Sequence, residues 1–175
     1  MNTIKHKTLV VLRCKLVIVG DPAVGKTALT QVFVNGGGAF PKNYMMTVGA
    51  ELTIKQIPIE NTNVVVELYV YDSAGQSIFN QVEMNSKYWD NFSAVMCVYD
   101  ICNRESLQSC SKWLNSVKTV KSSSPNTLGV LIGNKAEYRH GMVDSRAEVT
   151  NQEGQQAAGE LGLAYFESSA VIYLK

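Results

Sequence analysis

Cys14-Lys15-Leu16-Val17-Ile18-Val19-Gly20-Asp21-Pro22-Ala23-Val24-Gly25-Lys26-Thr27 is the stretch that decides the fold. Its first six residues are mostly apolar and partly β-branched, as in a strand buried on both faces. The next eight fit G-x-x-x-x-G-K-S/T, and residues 25–34 continue with a helical pattern. A helix that opens directly from a strand leaves its first N–H groups without partners and turns its positive dipole end toward the loop. Glycines let such N–H groups curl around phosphate oxygens. The candidate donors are Gly20, Asp21, Ala23, Val24, Gly25 and, in the first turn, Ala28. Lys26 would neutralise the outer phosphates, and the Thr27 hydroxyl would ligate Mg²⁺.

Outward from this loop, the chain alternates two kinds of segment. Apolar runs at 52–57, 64–71, 94–99, 128–132 and 164–166 read as strands. Residues 104–120 read as a helix with Leu107, Cys110, Leu114 and Val117 on one face and Asn103 as N-cap. Thr150-x-x-Glu153 is a capping box that opens a shorter helix, weakened by Gly154 and Gly159. Strands alternating with helices predict an α/β fold: a mostly parallel six-stranded sheet with helices on both faces. The 52–57 and 64–71 runs are joined by the short turn at 58–63, so that pair should be antiparallel, with one strand at the edge. Ligands of such sheets bind beyond the carboxyl ends of the strands.

The 175 residues suit one domain, and 46% apolar against 18% charged types supplies a core. We place an N-terminal extension at 1–12 and the nucleotide-binding domain at 13–175. Sixteen Lys plus Arg against fifteen Asp plus Glu give +1, which argues against a nucleic-acid or acidic-membrane surface. Cys14, Cys97, Cys102 and Cys110 form neither a C-x-x-C pair nor a Cys/His cluster, so they read as reduced thiols of a cytosolic protein. The last residues, Ile172-Tyr173-Leu174-Lys175, include no cysteine for a prenyl anchor, so no direct lipid anchor is expected. Trp89 and Trp113 fall at helical positions and read as core. His6 and His140 are isolated, and Lys5-His6-Lys7 reads as a solvated tail.

Three further motifs follow predicted strands. Asp72-Ser73-Ala74-Gly75-Gln76 supplies an acid for Mg²⁺, a glycine amide that can turn to a γ-phosphate, and Gln76 to orient an attacking water. Asn134-Lys135-Ala136-Glu137 follows the fifth run, and Ser168-Ser169-Ala170 the sixth. At these points the sequence resembles the Ras-like small GTPases over about the whole of 13–170. The resemblance implies GTP or GDP as ligand, with Mg²⁺. It implies that Asn134 bonds the guanine edge, Lys135 packs beside the base, and Glu137 accepts from N1–H and N2–H₂. The Ser169-Ala170 backbone would meet guanine O6. Within the superfamily, Thr47-Val48-Gly49-Ala50-Glu51-Leu52, Val98-Tyr99-Asp100 and Glu105-Ser106-Leu107 are similar to Rab segments. That nominates Thr47 as a second hydroxyl ligand of Mg²⁺ in the GTP state. The phosphate loop, Val66-Glu67-Leu68 and Ser109-Cys110-Ser111-Lys112-Trp113-Leu114 resemble the Rab-like GTPases of intraflagellar transport complex B. That subfamily works in the cilium or flagellum, paired with a small β-sandwich subunit.

The sequence departs from the family pattern at four places. Pro22 stands where many small GTPases carry glycine, and its ring lies where an arginine finger would cross, so hydrolysis should be slow. Glu137 replaces Asp but keeps the carboxylate. Val171 replaces the lysine of S-A-K without touching the Ala170 backbone donor. The final helix of the family is absent from the sequence, which stops at Lys175: either the chain is cut short there or the domain lacks that helix, and the second would leave an apolar patch. Two other readings stay open: a nucleotide-stabilised interaction subunit with negligible turnover, and an ATP-using P-loop enzyme. The N-K-x-E motif and the lack of an arginine-rich lid speak against the second.

Overall fold

The structure, a computed structural model, describes residues 8–37, 46–75, 88–120, 128–139 and 146–172. Gln76, His6, His140 and the end of the chain lie outside the described residues. The elements are β1 Val10–Val19, α1 Lys26–Val34, β2 Ala50–Pro58, β3 Val64–Ser73, β4 Ala94–Asp100, α2 Arg104–Val120, β5 Leu128–Asn134, a 3₁₀ turn Ala136–Tyr138, α3 Asn151–Leu161 and β6 Ala164–Glu167. One six-stranded sheet runs in the order β2-β3-β1-β4-β5-β6. All neighbours pair in parallel except β2 with β3, as the short 58–63 turn requires. β1 begins at Val10, four residues before the expected start. Its parallel register with β3 runs from Val10↔Val64 to Ile18↔Asp72, so backbone pairing carries the strand beyond its buried part.

Alternate residues of the strands build two cores. Val17, Val19, Val95, Cys97, Tyr99 and Leu131 face α2 and α3. Ile18, Val70, Val98 and Ile132 face the opposite way, where Val24 and Leu29 of the loop and α1 pack. Continuous apolar runs are therefore the expected pattern of these strands. On α2, Cys110, Leu114 and Val117 are buried with Leu107 packed against them, as its periodicity predicts. Trp89 and Trp113 are both core residues. All four cysteines are free thiols. No helix among the described residues is long and apolar enough to cross a membrane.

The two side-chain caps expected from the sequence, at Asn103 and Thr150, both form. Ser106 N–H donates to Asn103 Oδ1 at 3.1 Å. On α3, Glu153 N–H donates to Thr150 Oγ1 at 3.2 Å, and Thr150 N–H donates back to Glu153 Oε2 at 2.7 Å. Arg104 NH1 reaches Glu153 Oε1 at 2.7 Å and ties α2 to α3. The Arg104 guanidinium and the two bonds from Thr150 hold the Glu153 carboxyl down at about 2, from an ordinary 4.5. A depressed carboxylate stabilises the fold above its unfolded pKa and ceases to do so as pH falls through its folded one. Glu153→Gln should therefore lower the thermal midpoint at pH 7, and its deficit should shrink as pH falls from 4.5 toward 2. Thermal melts across that range check this, and a pH-independent deficit would contradict it.

Candidate functional site

The carboxyl ends of the parallel strands open on one rim, and β2 starts there because Ala50 pairs with Ser73. The sequence-predicted residues within the described part gather on this rim in two groups.

The first group surrounds the phosphate loop. Gly25 caps α1 at φ 96°, with no side-chain cap and no acid in the first turn, so the helix N-terminus has no anion of its own. Lys26 is buried, and its Nζ donates to Gly20 O at 2.8 Å and Asp21 O at 2.9 Å. Burial pulls its ammonium down to about 8, against the opposing pull of Asp72 and Asp21. Thr27 Oγ1 donates to Asp72 Oδ2 at 2.6 Å and lies 2.9 Å from Thr47 Oγ1. Asp72 is 2% exposed, and its Oδ1 has no hydrogen-bond partner. Burial pushes its carboxyl above the usual range, while the Thr27 hydroxyl and the Lys26 charge pull it back. Gly75 closes the group: a Cβ there would lie 2.6 Å from Lys26 Nζ and 2.5 Å from Pro22 N. Only a residue without a side chain lets the β3 end come this close to the loop.

The second group holds the motifs nominated for a base. Asn134 is 1% exposed, and its Nδ2 donates to Val24 O at 2.7 Å, joining the two groups. Lys135 sits in the left-handed region at φ 66°, and its Nζ pairs with Asp100 Oδ2 at 2.6 Å. Glu137 lies in the 3₁₀ turn with Oε2 buried and unpartnered. Ala136 N–H donates to Ser168 O at 3.0 Å and Ser168 N–H to Gly133 O at 2.9 Å, which fixes one loop on the other. Ser169 Oγ accepts from the N–H groups of Val171 and Ile172, and Ala170 is buried.

Several supporting residues were not singled out as such in the sequence. Trp113 Nε1 donates to Asp21 Oδ1 at 2.7 Å, so the Asp21 side chain serves the loop's position and leaves its backbone to a ligand. Arg139 clamps Glu167 through Nε at 2.9 Å and NH2 at 2.5 Å, bracing the loops that follow β5 and β6. Tyr165 OH donates to the same carboxylate at 2.8 Å and lies 3.0 Å from Tyr99 OH. Asp100, which pairs with Lys135, is the one with a signal in the sequence, as the acid that ends an apolar run.

The donor chemistry suits Mg²⁺ and a phosphate chain. Two hydroxyls and a carboxylate converge with one carboxylate oxygen to spare, an all-oxygen set of the kind that hard cation takes. The desolvated lysine and the uncapped helix end suit its anionic partner.

The chain belongs to the Ras family, whose profile matches residues 15–173. It is similar to the intraflagellar transport protein 27 homolog of Mus musculus, 41% identical over 92% of this chain and 82% of that protein. The Homo sapiens homolog is 39% identical over the same shares. The Ras-related protein Rab-4 of Dictyostelium discoideum is 33% identical over 90% of this chain and 70% of its own length.

Proposed function

We propose that this protein is a guanine-nucleotide-binding switch that takes GTP or GDP with Mg²⁺, hydrolyses GTP slowly and serves intraflagellar transport. The observation that carries the nucleotide reading is where the orphaned acceptors lie. Among the described residues, the buried side-chain atoms without partners are Asp72 Oδ1, Asn134 Oδ1 and Glu137 Oε2. Buried acceptors are normally satisfied. These three sit at the two ends of one rim, at the residues nominated for the cation and the base.

In this reading the nucleotide-binding domain expected at 13–175, behind an extension at 1–12, also takes in Val10 to Leu12, which pair with β3. Gly20, Asp21, Ala23, Val24, Gly25 and Ala28 give backbone N–H groups to the phosphates. Lys26 exchanges its two loop carbonyls for phosphate oxygens. Thr27, Thr47 and Asp72 hold Mg²⁺, which when bound neutralises charge on the phosphate oxygens. Asn134, Lys135, Glu137, Ser169 and Ala170 hold the base. Thr47 and the Gly75 amide engage a γ-phosphate and let go once it is lost, which is the order–disorder logic of a switch. Gln76 orients the attacking water. Chromatographic identification of the nucleotide released by the purified protein tests the core of this reading, and adenine nucleotide or none would overturn it.

Hydrolysis should run at roughly 10⁻⁴ to 10⁻³ per second, the range of unassisted small GTPases. No arginine occurs in residues 35–47 to stabilise transition-state charge in cis. Pro22 is exposed at the loop, where an arginine from another protein would cross. Single-turnover assays measure this, and several turnovers per second would show the site to be misread. We place the protein in the cytoplasm and in the cilium or flagellum, the second supported by relatives named for intraflagellar transport. The partner we expect is a small β-sandwich subunit of transport complex B. Co-purification of the two from a shared expression host tests it, and two independently eluting proteins would count against it.

A further inference from the structure

β3 loses its neighbours one at a time as it reaches the rim. Its register with β1 ends at Ile18↔Asp72, and its register with β2 ends at Ala50↔Ser73. The residues at this end are therefore placed by single contacts. Ala74 is buried, and its N–H donates to Gly49 O at 2.8 Å. Gly75 lies against Pro22 and Lys26, where a side chain would not fit. Ser73 is fully buried, and its Oγ accepts from Trp89 Nε1 at 2.9 Å.

Trp89 comes ahead of β4 and belongs to the core beneath α2 and α3. It is fully buried, so its indole N–H, which can only donate, has to find its partner inside. Successive residues of a strand point to opposite faces. Asp72 turns to Thr27, and Ser73 turns to the core, where Trp89 meets it. An apolar ring alone would fill that space without holding Ser73. A close-packed indole does not drift with its partner, so it gives Ser73 Oγ a set position. That position lies two residues before Gly75 in the chain.

We propose that Trp89 is a positioning residue, whose indole N–H holds Ser73 so that the Gly75 amide is set for a γ-phosphate. The inference rests on the reading of Gly75 given under the proposed function. GDP has no γ-phosphate, so the bond should bear on GTP alone. Trp113 supplies the contrast, because its indole N–H holds Asp21, in the loop that would meet the phosphates common to both nucleotides.

The test measures the affinities of GTPγS and GDP for the whole chain with Mg²⁺, by displacement of a fluorescent GDP. Trp89→Phe should weaken GTPγS relative to GDP by about 3- to 10-fold, the effect of one lost hydrogen bond. Ser73→Ala removes the other partner and should shift the ratio the same way. The double variant should shift it no further than the larger single change, as expected of two residues that share one bond. Trp113→Phe should weaken both nucleotides alike. A Trp89 that served only the core would lower the thermal midpoint and leave the ratio of the two affinities as it is. That unchanged ratio in Trp89→Phe, or in Ser73→Ala where Trp89→Phe does not fold, would overturn the proposal while the nucleotide reading stands. So would a double variant whose shift is the product of the two single ones. A wild type that binds neither nucleotide would overturn the nucleotide reading and this role together.

Discussion

Lys26→Ala is expected to weaken GTP binding by about 10² to 10⁴-fold while leaving the fold intact. The Nζ of Lys26 has two acceptors, the carbonyls of Gly20 and Asp21, and a phosphate chain in the loop would offer two anionic oxygens instead. Hydrogen bonds to charged groups contribute about 1.5–3 kcal/mol each, and 1.4 kcal/mol is tenfold in affinity. The sign of the stability change separates this reading from a purely structural lysine. Burial already depresses the ammonium to about 8, so without an anion its charge is a cost to the fold. The nucleotide-free variant should melt no lower than the nucleotide-free wild type. What it should lose is the stabilisation that ligand adds, which grows with concentration over Kd. Thr27→Asn should act in a different way. It removes a hydroxyl that lies 2.9 Å from that of Thr47, so the loss should fall more on GTP than on GDP. Dissociation of a fluorescent nucleotide measures both, and wild-type GTP affinity in Lys26→Ala would show that the lysine serves only the loop carbonyls.

The loop and its lysine were legible because their chemistry is local. A strand, a glycine turn and a helix start follow one another within fourteen residues, and their spacing alone states what they can hold. Asn134-Lys135-Ala136-Glu137 and Ser168-Ser169-Ala170 were legible as loops placed just after strands, and only the family resemblance nominated them for a base. The braces behind them were not. Asp21 and Trp113 are 92 residues apart, and nothing in either neighbourhood announces the other. Arg139 and Glu167 meet only because β5 and β6 pair and bring their following loops together. Gly154 illustrates a reading that was right in type and incomplete in meaning. It counts as a weak spot in a helix by propensity. In the fold it lets the Tyr165 ring lie against α3, since a Cβ there would overlap that ring. The start of β1 was missed because Val10 to Leu12 are exposed on the sheet, so burial leaves no mark that would separate strand from flank.

Glu137 is where the choice of base should be decided. Its 3₁₀ turn is anchored by backbone, through Ala136 N–H to Ser168 O and Tyr138 N–H to Lys135 O, so the side chain can be changed without releasing the loop. Its Oε2 is buried and has no partner, which makes it an acceptor awaiting a donor. Guanine presents N1–H and N2–H₂ on that edge. Adenine presents a bare N1 and no second amine, so the carboxylate would face a lone pair. Each such unmatched polar group is worth about 1–3 kcal/mol, and two of them make a preference of roughly 30- to 10⁴-fold for GTP over ATP. Glu137→Ala should erase most of that preference, chiefly by weakening GTP. Glu137→Asp, one methylene shorter, retains the acceptor and should keep the preference. Because the turn is held by its backbone, both variants should melt near the wild type when nucleotide-free. Competition of GTP and ATP for the loaded fluorescent nucleotide reads all three proteins. If Glu137→Ala discriminates as sharply as the wild type, the base is chosen elsewhere, and the orphaned carboxylate oxygen must have some other donor.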